Sequence, residues 1–226
     1  MGKEILNDLK ILGASTTSGG YFRNIAVTGE CKIAGDVNCE KLRLTGELDM
    51  VGNLYADELR ITGECAVGGR AEGTLLKGRG ELKTSSSLKI ERIKFTGNLA
   101  VNGDCESDHL QIFGAVQVAG LLNADQLEMG LYGPSHAKEV GGGSIVIKRS
   151  TAARIIGFVK PWADAFFEAE LVEGDLINLQ YTKAGTVRGK QIQIGADCEI
   201  QRVEYYDTLE IHKSAKVHHH IRLINN

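Results

Sequence analysis

A seventeen-residue unit repeats six times between residues 25 and 126, with units that begin at residues 25, 42, 59, 76, 93 and 110. Positions 1, 3, 7, 9, 13 and 15 of the unit are apolar at 32 of 36 sites. The four exceptions are Gly73, Gly78, Thr84 and Ser107. Because a fixed period of this length decides the architecture before local propensity does, the chain is expected to stack one small structural unit on the next.

Glycines divide each unit into segments. Position 5 is glycine in all six units, and position 11 is glycine in five, with Ser86 in the remaining one. Between these glycines the apolar residues lie two apart, which is the period of a β-strand. Glycine adopts a positive φ without steric cost, so we expect corners at the glycines and three short strands in each unit. The 2 prolines in 226 residues agree with this, since an interior strand must donate its N–H to a neighbour.

Seventeen residues with three corners leave no room for a helical crossover, so each strand is expected to pair in parallel with its counterpart one unit later. The sequence therefore predicts an all-β fold, a parallel β-helix solenoid with about 17 residues per coil. At about 4.8 Å per coil, about twelve coils would make a rod of about 55 to 60 Å. Equivalent side chains would stack in columns, and one such column is Ile25, Leu42, Leu59, Leu76, Ile93 and Leu110.

The pattern changes along the chain. Residues 9–24 are a shorter, polar version of the unit, and the alternation is lost after Tyr132 and resumes from Ala169. Residues 148–170 fit no template. We therefore predict an amino-terminal β-helix lobe over 1–143, an irregular connector or insertion over 144–168, and a carboxy-terminal β-helix lobe over 169–226.

The charges are nearly balanced, with 26 Lys and Arg against 29 Asp and Glu and a net charge of -3. Position 2 of the unit forms a basic column, and acidic columns occupy positions 6 and 16. We interpret this surface as a solvated, charge-balanced face, because DNA binding needs a clustered net positive patch. No nucleic-acid partner is expected, and peripheral membrane contact has no support in the sequence. The residues of the basic column are Arg43, Arg60, Lys77 and Lys94.

The five cysteines are odd in number and form no CxxC pair, and the first ten residues contain no apolar signal segment. No apolar run approaches the roughly 18 residues of a membrane span. These features predict a reduced, cytoplasmic protein that does not cross a membrane. Cys31 and Cys65 occupy the same unit position two coils apart, about 9.6 Å by rung spacing, which is beyond disulfide reach and indicates small core residues.

No residues form a recognisable chemical site. His218, His219 and His220 would face alternately outward and inward on a strand, and no nearby Cys or His completes a set of four ligands. His109 and His136 have no serine or acid at an interpretable spacing. The sequence therefore predicts no catalytic, cofactor-binding or metal-binding residue.

Three segments resemble the bactofilins, a family of polymer-forming bacterial cytoskeletal proteins, and in particular their Gram-positive type. They are LKILGASTTSGGYF from Leu9, the repeated TGE corners, and VEGDLINLQYTKAGTVRGKQIQIGADCEIQRVEY from Val172. The resemblance implies a right-handed β-helix, nucleotide-independent polymerisation through the ends of the rod, and a role in scaffolding other cellular components. The chain departs from the usual family pattern, a core of about a hundred residues between disordered tails, because almost all of it is predicted to be folded.

The resulting expectation is a structural, non-enzymatic protein that forms homo-oligomers or filaments end to end and carries protein cargo. A stacked β-helix leaves unpaired strand edges and an apolar cross-section at each end, and these favour association with another copy. The candidate self-association residues are Leu9 and Ile11 at the amino end and Ile211, Val217, Ile221 and Leu223 at the carboxyl end.

Two other functions stay open. Hexapeptide-repeat acyltransferases also form β-helices, but their coils have eighteen residues with one large inward residue per side. A monomeric adaptor would instead bind a protein partner through the irregular segment, where Trp162, Phe166 and Phe167 either anchor the partner or cap the core. Phe113 is a further surface candidate, an outward ring expected to be covered by residues 148–170 or by another subunit.

Overall fold

The structure is a computed structural model that describes residues 7–150 and 165–224. Within these residues twelve strands form one sheet, in which every neighbouring pair is parallel and the order follows the chain. No helix occurs in the described ranges. The strands are β1 (Asn7–Thr17), β2 (Gly20–Ile33), β3 (Val37–Met50), β4 (Leu54–Val67), β5 (Ala71–Thr84), β6 (Leu88–Val101), β7 (Cys105–Leu131), β8 (Ser135–Arg149), β9 (Phe167–Leu179), β10 (Thr182–Ile194), β11 (Glu199–Ile211) and β12 (Lys216–Arg222).

The register between β2 and β7 follows the sequence repeat. Leu42 pairs with Leu59, and Leu59 with Leu76, so that residues seventeen apart lie directly above one another. The whole predicted column from Ile25 to Leu110 is in register, and each of its members is at most 2% exposed. The predicted fold is confirmed as a parallel β-solenoid of about twelve turns with about seventeen residues per turn.

Each regular coil contains one long strand, and the expectation of three separate short strands is wrong. β3 runs unbroken for 14 residues through Gly46, whose φ of 127° bends the chain while hydrogen bonding to both neighbours continues. A second bend falls at Glu40 and Lys41, which are both exposed and so interrupt the alternation of buried and exposed residues. The cross-section therefore has three outer faces, but only the third corner interrupts the strand.

The stack continues across the predicted connector. β8 pairs directly with β9, with Ser135 opposite Phe167, so this one coil holds 32 residues where a regular coil holds seventeen. Residues 144–149 lie in β8, and residues 167 and 168 begin β9. The middle of the connector, residues 151–164, lies outside the described residues, and the division into two lobes stays a prediction.

The coils are less uniform towards the carboxyl end. The offset between β9 and β10 is fifteen residues, as in the pair Phe167 and Thr182. Between β10 and β11 the offset changes from sixteen to seventeen, with an irregularity between Gly189 and Gln191. The inward columns nevertheless continue through these coils.

One hydrophobic core fills the solenoid from Ile11 to Val203. Burying each aliphatic side chain in such a core is worth about 1.5 to 3 kcal/mol. Phe95 and Phe167 are its largest fully buried side chains. Phe167 is therefore a core residue and not a surface anchor, because it begins β9 on an inward position.

Candidate functional site

Both ends of the described stack have a strand that is paired on one side only. In the described residues β1 pairs with β2 alone, and β12 pairs with β11 alone. Each end strand therefore presents backbone N–H and C=O groups that make no ladder on its outer side. Edges of this kind are templates for pairing with another chain.

At the amino end, both predicted self-association residues lie on core columns. Leu9 stacks on Ile25, and Ile11 stacks on Val27. Leu9 is half-buried, whereas Ile11 is buried and only 6% exposed. Leu9 is therefore the member of the pair that extends the core to the surface of the end coil.

At the carboxyl end, the four predicted residues separate into two groups. Ile211 and Val217 lie on core columns, stacked on Ile194 and Ile200, and Ile211 is 42% exposed. Ile221 instead stacks on Glu204, on an outer column. Leu223, also a predicted contact, donates its backbone N–H to the carbonyl of Tyr205 at 2.7 Å and is half-buried. Ile211 and Val217 are thus the two of the four predicted residues that continue core columns at this end.

A cation and two aromatic rings adjoin the predicted connector. The guanidinium carbon of Arg149 lies 3.8 Å from the ring centroid of Tyr181 and 5.7 Å from that of Phe166. The two rings meet edge to face with centroids 5.9 Å apart. Phe166 is therefore half-buried and already in contact with its own chain, and Trp162 lies outside the described residues. Arg149 and Tyr181 were missed by sequence reasoning, since neither belongs to a repeated pattern.

Phe113 is covered in part by the next coil. A Cβ placed on Gly130 would lie 2.5 Å from the Cδ1 atom of the Phe113 ring, so the ring lies over this glycine. Phe113 is half-buried as a result. The sequence analysis predicted that residues 148–170 or another subunit would cover this ring, whereas Gly130 of the same strand, β7, lies against it.

The described residues offer little to a metal ion or a nucleophilic reaction. No group of three or more His, Cys, Asp or Glu side chains that could hold a metal occurs among them. All five cysteines are buried and free. Burial raises the pKa of the thiols of Cys39, Cys65 and Cys105 to about 12 and that of Cys198 to about 11, so these thiols stay protonated at neutral pH.

One outer face of the rod is basic. We define the basic stripe as Arg43, Arg60, Lys77, Arg79, Arg92 and Lys94, all exposed on β3 to β6. Arg43, Arg60, Lys77 and Lys94 are in register on consecutive coils, as predicted. Sequence reasoning missed Arg79 and Arg92, which lie one outward position to either side of that column and have no basic counterpart in most other units.

The neighbouring corner is acidic. We define the acidic corner as Glu40, Asp57, Glu91, Asp108 and Asp125, all exposed. Glu91, Asp108 and Asp125 border a groove of about 360 Å³ with Glu72, Glu106 and Lys89. Lys77, Arg92 and Lys94 border a different groove of about 870 Å³, which Glu128 also lines. The acidic corner and the basic stripe therefore lie on two adjoining faces.

An ion cluster lies on the outer surface nearer the carboxyl end. Glu204 accepts hydrogen bonds from Arg188 Nε at 2.7 Å and Arg202 Nε at 2.6 Å, and its side chain is 10% exposed. The hydrogen bond from Arg188, followed by that from Arg202, holds the pKa of Glu204 below its usual value. Arg188 also contacts Glu173 at 3.3 Å, so the cluster joins β9, β10 and β11.

No described helix has the length and apolar character to span a lipid bilayer.

The fold and its two one-sided end strands define a parallel β-solenoid protein. The chain is similar to the uncharacterized protein YhbF of Bacillus subtilis (strain 168), with 49% identity over 218 residues that cover 88% of this chain and 90% of YhbF. It therefore belongs to the same family as YhbF. It is also similar to the uncharacterized protein YhbE of the same organism, with 38% identity over 102 residues, 45% of this chain and 42% of YhbE. The chain thus spans less than half the length of YhbE.

No family model matches the chain. No solved structure matches it either.

Proposed function

We propose that this protein is a bactofilin-type structural protein of the bacterial cytoplasm, which assembles end to end into filaments without a nucleotide. The filaments scaffold other cellular components, so the partners are further copies of the chain and a protein cargo. The proposal concerns a non-enzymatic role, in which the ends of the rod are the functional sites.

One observation carries the proposal: in the described residues, β1 and β12 lie at the two ends of a continuous core, and each of them is paired with a neighbouring strand on one side only. Leu9 extends a core column at one end, and Ile211 and Val217 extend core columns at the other. Contact between two such ends would bury these side chains, and each buried side chain would stabilise the contact by about 1.5 to 3 kcal/mol. The contact would also pair the open strand edges.

The buried, protonated thiols agree with a reducing compartment, because all five described cysteines are free. The segments that resemble bactofilins lie at Leu9 to Phe22 and Val172 to Tyr205, and they occupy β1, β2, β9, β10 and β11 in the solenoid. The resemblance therefore covers the end strand β1, the repeated corners and the coils of β9 to β11, and it stops before the end strand β12.

The test replaces one apolar residue at each end with a charge. Leu9→Glu and Ile211→Glu are each expected to reduce sedimentable polymer at least tenfold, since every junction needs both ends. Electron microscopy without nucleotide should show filaments for the unaltered protein. Ile11 is a poor choice for substitution, because it is buried and a charge there would disturb folding.

Leu12→Glu is the matched control. Leu12 is 70% exposed and stacks on Thr28, on an outer column, so its replacement should leave the polymer intact. Polymer that survives both end substitutions would refute the end-to-end contact. Purified protein that stays monomeric by light scattering would instead favour the adaptor function, and measured acyl transfer would favour the acyltransferase.

A further inference from the structure

The groove of about 870 Å³, which we call the long groove, runs along the side of the rod from β5 to β9. It crosses six coils, because β7 with its 27 residues contributes two of them. Each coil adds about 4.8 Å along the rod, so Arg92 and Leu176, four coils apart, are separated by about 19 Å, the length of about six residues of extended chain. One wall contains one residue from each coil, and these residues are Leu75, Arg92, His109, Gln126, Ser144 and Leu176.

The half of the long groove nearer the amino end is basic. Lys77, Arg92 and Lys94 are exposed there, on β5 and β6. Among the described residues, no carboxylate lies within 4.0 Å of the charged groups of these three side chains. Lys77 and Lys94 also stack on one another in register, and like charges one rung apart repel. An anion from outside the described part of the chain would therefore stabilise this half of the groove.

Among the described residues that line the long groove, Glu128 is the one carboxylate, and its own chain already satisfies it. Glu128 accepts a hydrogen bond from Gln111 Nε2 at 2.8 Å and forms an ion pair with Lys148 Nζ at 3.1 Å. The hydrogen bond from Gln111, followed by that from Lys148, holds the pKa of Glu128 below its usual value. Glu128 and Lys148 therefore balance each other, and the three cations of β5 and β6 remain as the excess charge of the groove.

The far end of the long groove is apolar. Leu176 of β9 is 48% exposed, and Val146 on the adjacent coil is half-buried. Between this end and the cations lie Gln126, which is exposed, and Ser144, which is half-buried. Amide and hydroxyl side chains donate and accept hydrogen bonds, so these two residues suit the backbone of a bound chain. The groove thus presents cations, uncharged polar groups and an aliphatic surface in a fixed order.

We propose that the long groove binds a short acidic segment of a partner protein in an extended conformation. Two or three Asp or Glu side chains of the segment contact Lys77, Arg92 and Lys94, and a large aliphatic side chain about six residues further along covers Leu176. The inference rests on the proposed function, because it identifies the chemistry of the protein cargo that the scaffold carries. The site lies on the side of the rod and leaves both ends available for end-to-end contact.

A short acidic peptide fits the long groove better than a nucleic acid or an anionic membrane does. The unpaired cations occupy two of the six coils, and a continuous polyanion that followed the groove would next meet the carboxylate of Glu128. A nucleic acid also has no aliphatic side chain to place on Leu176. The volume of about 870 Å³ is in the range of concave sites that enclose a ligand, whereas a flat lipid surface would not fill a groove.

The test measures the fluorescence anisotropy of a labelled octapeptide, Asp-Glu-Asp-Ser-Thr-Ser-Thr-Leu with blocked termini, as the protein is added in 50 mM NaCl. We expect saturable binding of one peptide per chain. The triple variant Lys77→Glu, Arg92→Glu and Lys94→Glu should bind at least tenfold more weakly, and Leu176→Ser at least threefold more weakly. A peptide that ends in Ser should lose affinity for the unaltered protein by a similar factor but lose almost none for Leu176→Ser, because the two leucines contact each other.

Two variants are the matched controls. Lys32→Glu, Lys138→Glu and Lys213→Glu together change the net charge by as much as the triple variant does, but these three exposed residues lie outside the long groove. Leu121→Ser removes a leucine that is 36% exposed and also lies outside the long groove. Both controls should bind the octapeptide as the unaltered protein does. Circular dichroism verifies that all variants are folded.

Three results would overturn the proposal: no saturable binding of the octapeptide, equal losses in the triple variant and its control, or an octamer of glutamate that binds as tightly as the octapeptide. Tighter binding of a single-stranded oligonucleotide or of anionic phospholipid vesicles through the same three cations would overturn it as well. Filaments that form while the octapeptide fails to bind would leave the proposed function standing. An octapeptide that binds a chain which stays monomeric would support the groove and refute the filament.

Discussion

Gly63 stacks directly on Gly46, and a Cβ on Gly63 would lie 2.0 Å from the carbonyl oxygen of Gly46. The φ of Gly63 is 125°, in a region that residues with a side chain rarely adopt. The same pairing recurs between Gly80 and Gly63, where the distance is 1.9 Å. The bend of the strand and the close approach of the coils therefore both depend on the missing side chain.

Gly63→Ala is expected to destabilise the protein strongly, by about 3 kcal/mol or more, because backbone strain and forced separation of two coils add together. The free energy of unfolding from urea titration measures the effect. Gly13→Ala is the control. Gly13 also has a positive φ, 85°, but nothing lies within 4 Å of its added Cβ, so only the strain of about 1 to 3 kcal/mol remains. Equal losses in the two variants would show that contact between coils is unimportant.

The buried cysteines should be nearly inert in the folded protein. Burial raises the pKa of the thiols of Cys65 and Cys105 to about 12, so the reactive thiolate is scarce at pH 8. We expect alkylation by iodoacetamide to be roughly a thousandfold slower than for an unperturbed thiol, and complete in urea. Mass spectrometry of the labelled protein gives the rates. A cysteine introduced on the surface by Lys83→Cys supplies the reference, and native thiols that react as fast as this one would disprove the prediction.

The ion cluster of Glu204 should give stability that depends on pH. The hydrogen bonds from Arg188 and Arg202 lower the pKa of Glu204 in the folded state, so the folded protein binds a proton there less readily than the unfolded chain. The contribution is therefore present above the unfolded pKa of about 4.3 and is lost as the pH falls through the lower, folded value. Glu204→Gln should destabilise the protein by about 1 to 2 kcal/mol at pH 7, and the difference should shrink below about pH 4.

Urea titrations of both proteins between pH 3 and 7 measure this difference. Glu168→Gln serves as the comparison, because Glu168 is exposed and contacts Lys183 only at 3.5 Å. It is expected to change stability by less than about 0.5 kcal/mol. A constant effect of Glu204→Gln at every pH would show that its charge is not what stabilises the cluster.

The stacking of coils could be predicted from sequence because a single rule fixes it. Inward positions such as Ile25 and Leu42 are seventeen residues apart, and parallel pairing places them in one column. The continuity of each strand could not be predicted in the same way. Glycine signals a bend, but whether hydrogen bonding continues through the bend depends on the neighbouring coils, which the sequence of one unit does not contain.

The glycines show the same limit. Gly46, at position 5 of the unit, has the expected positive φ, whereas the φ of Gly52, at position 11, is not positive. A Cβ on Gly52 would instead lie 2.5 Å from the carbonyl carbon of Gly35, so close approach explains this glycine. Glycine is therefore required at these two positions for different physical reasons, which the residue type alone does not distinguish.

The directions of side chains outside the regular repeat, and the faces on which the charges lie, were the least predictable features. Phe167 follows a stretch of sequence without the repeat pattern, so its inward direction could not be assigned before the register of β8 and β9 was known. The charge columns could be read from the sequence, but not the faces to which they belong. Glu91 and Arg92 are consecutive residues, and only the position of the bend separates them onto different sides of the rod.

The constant seventeen-residue register between β2 and β7 has an evolutionary consequence. Duplication or deletion of one unit would lengthen or shorten the rod by about 4.8 Å and leave both terminal surfaces chemically unchanged. Relatives of different length can therefore retain compatible ends, and the gene can adjust the size of the particle in discrete steps.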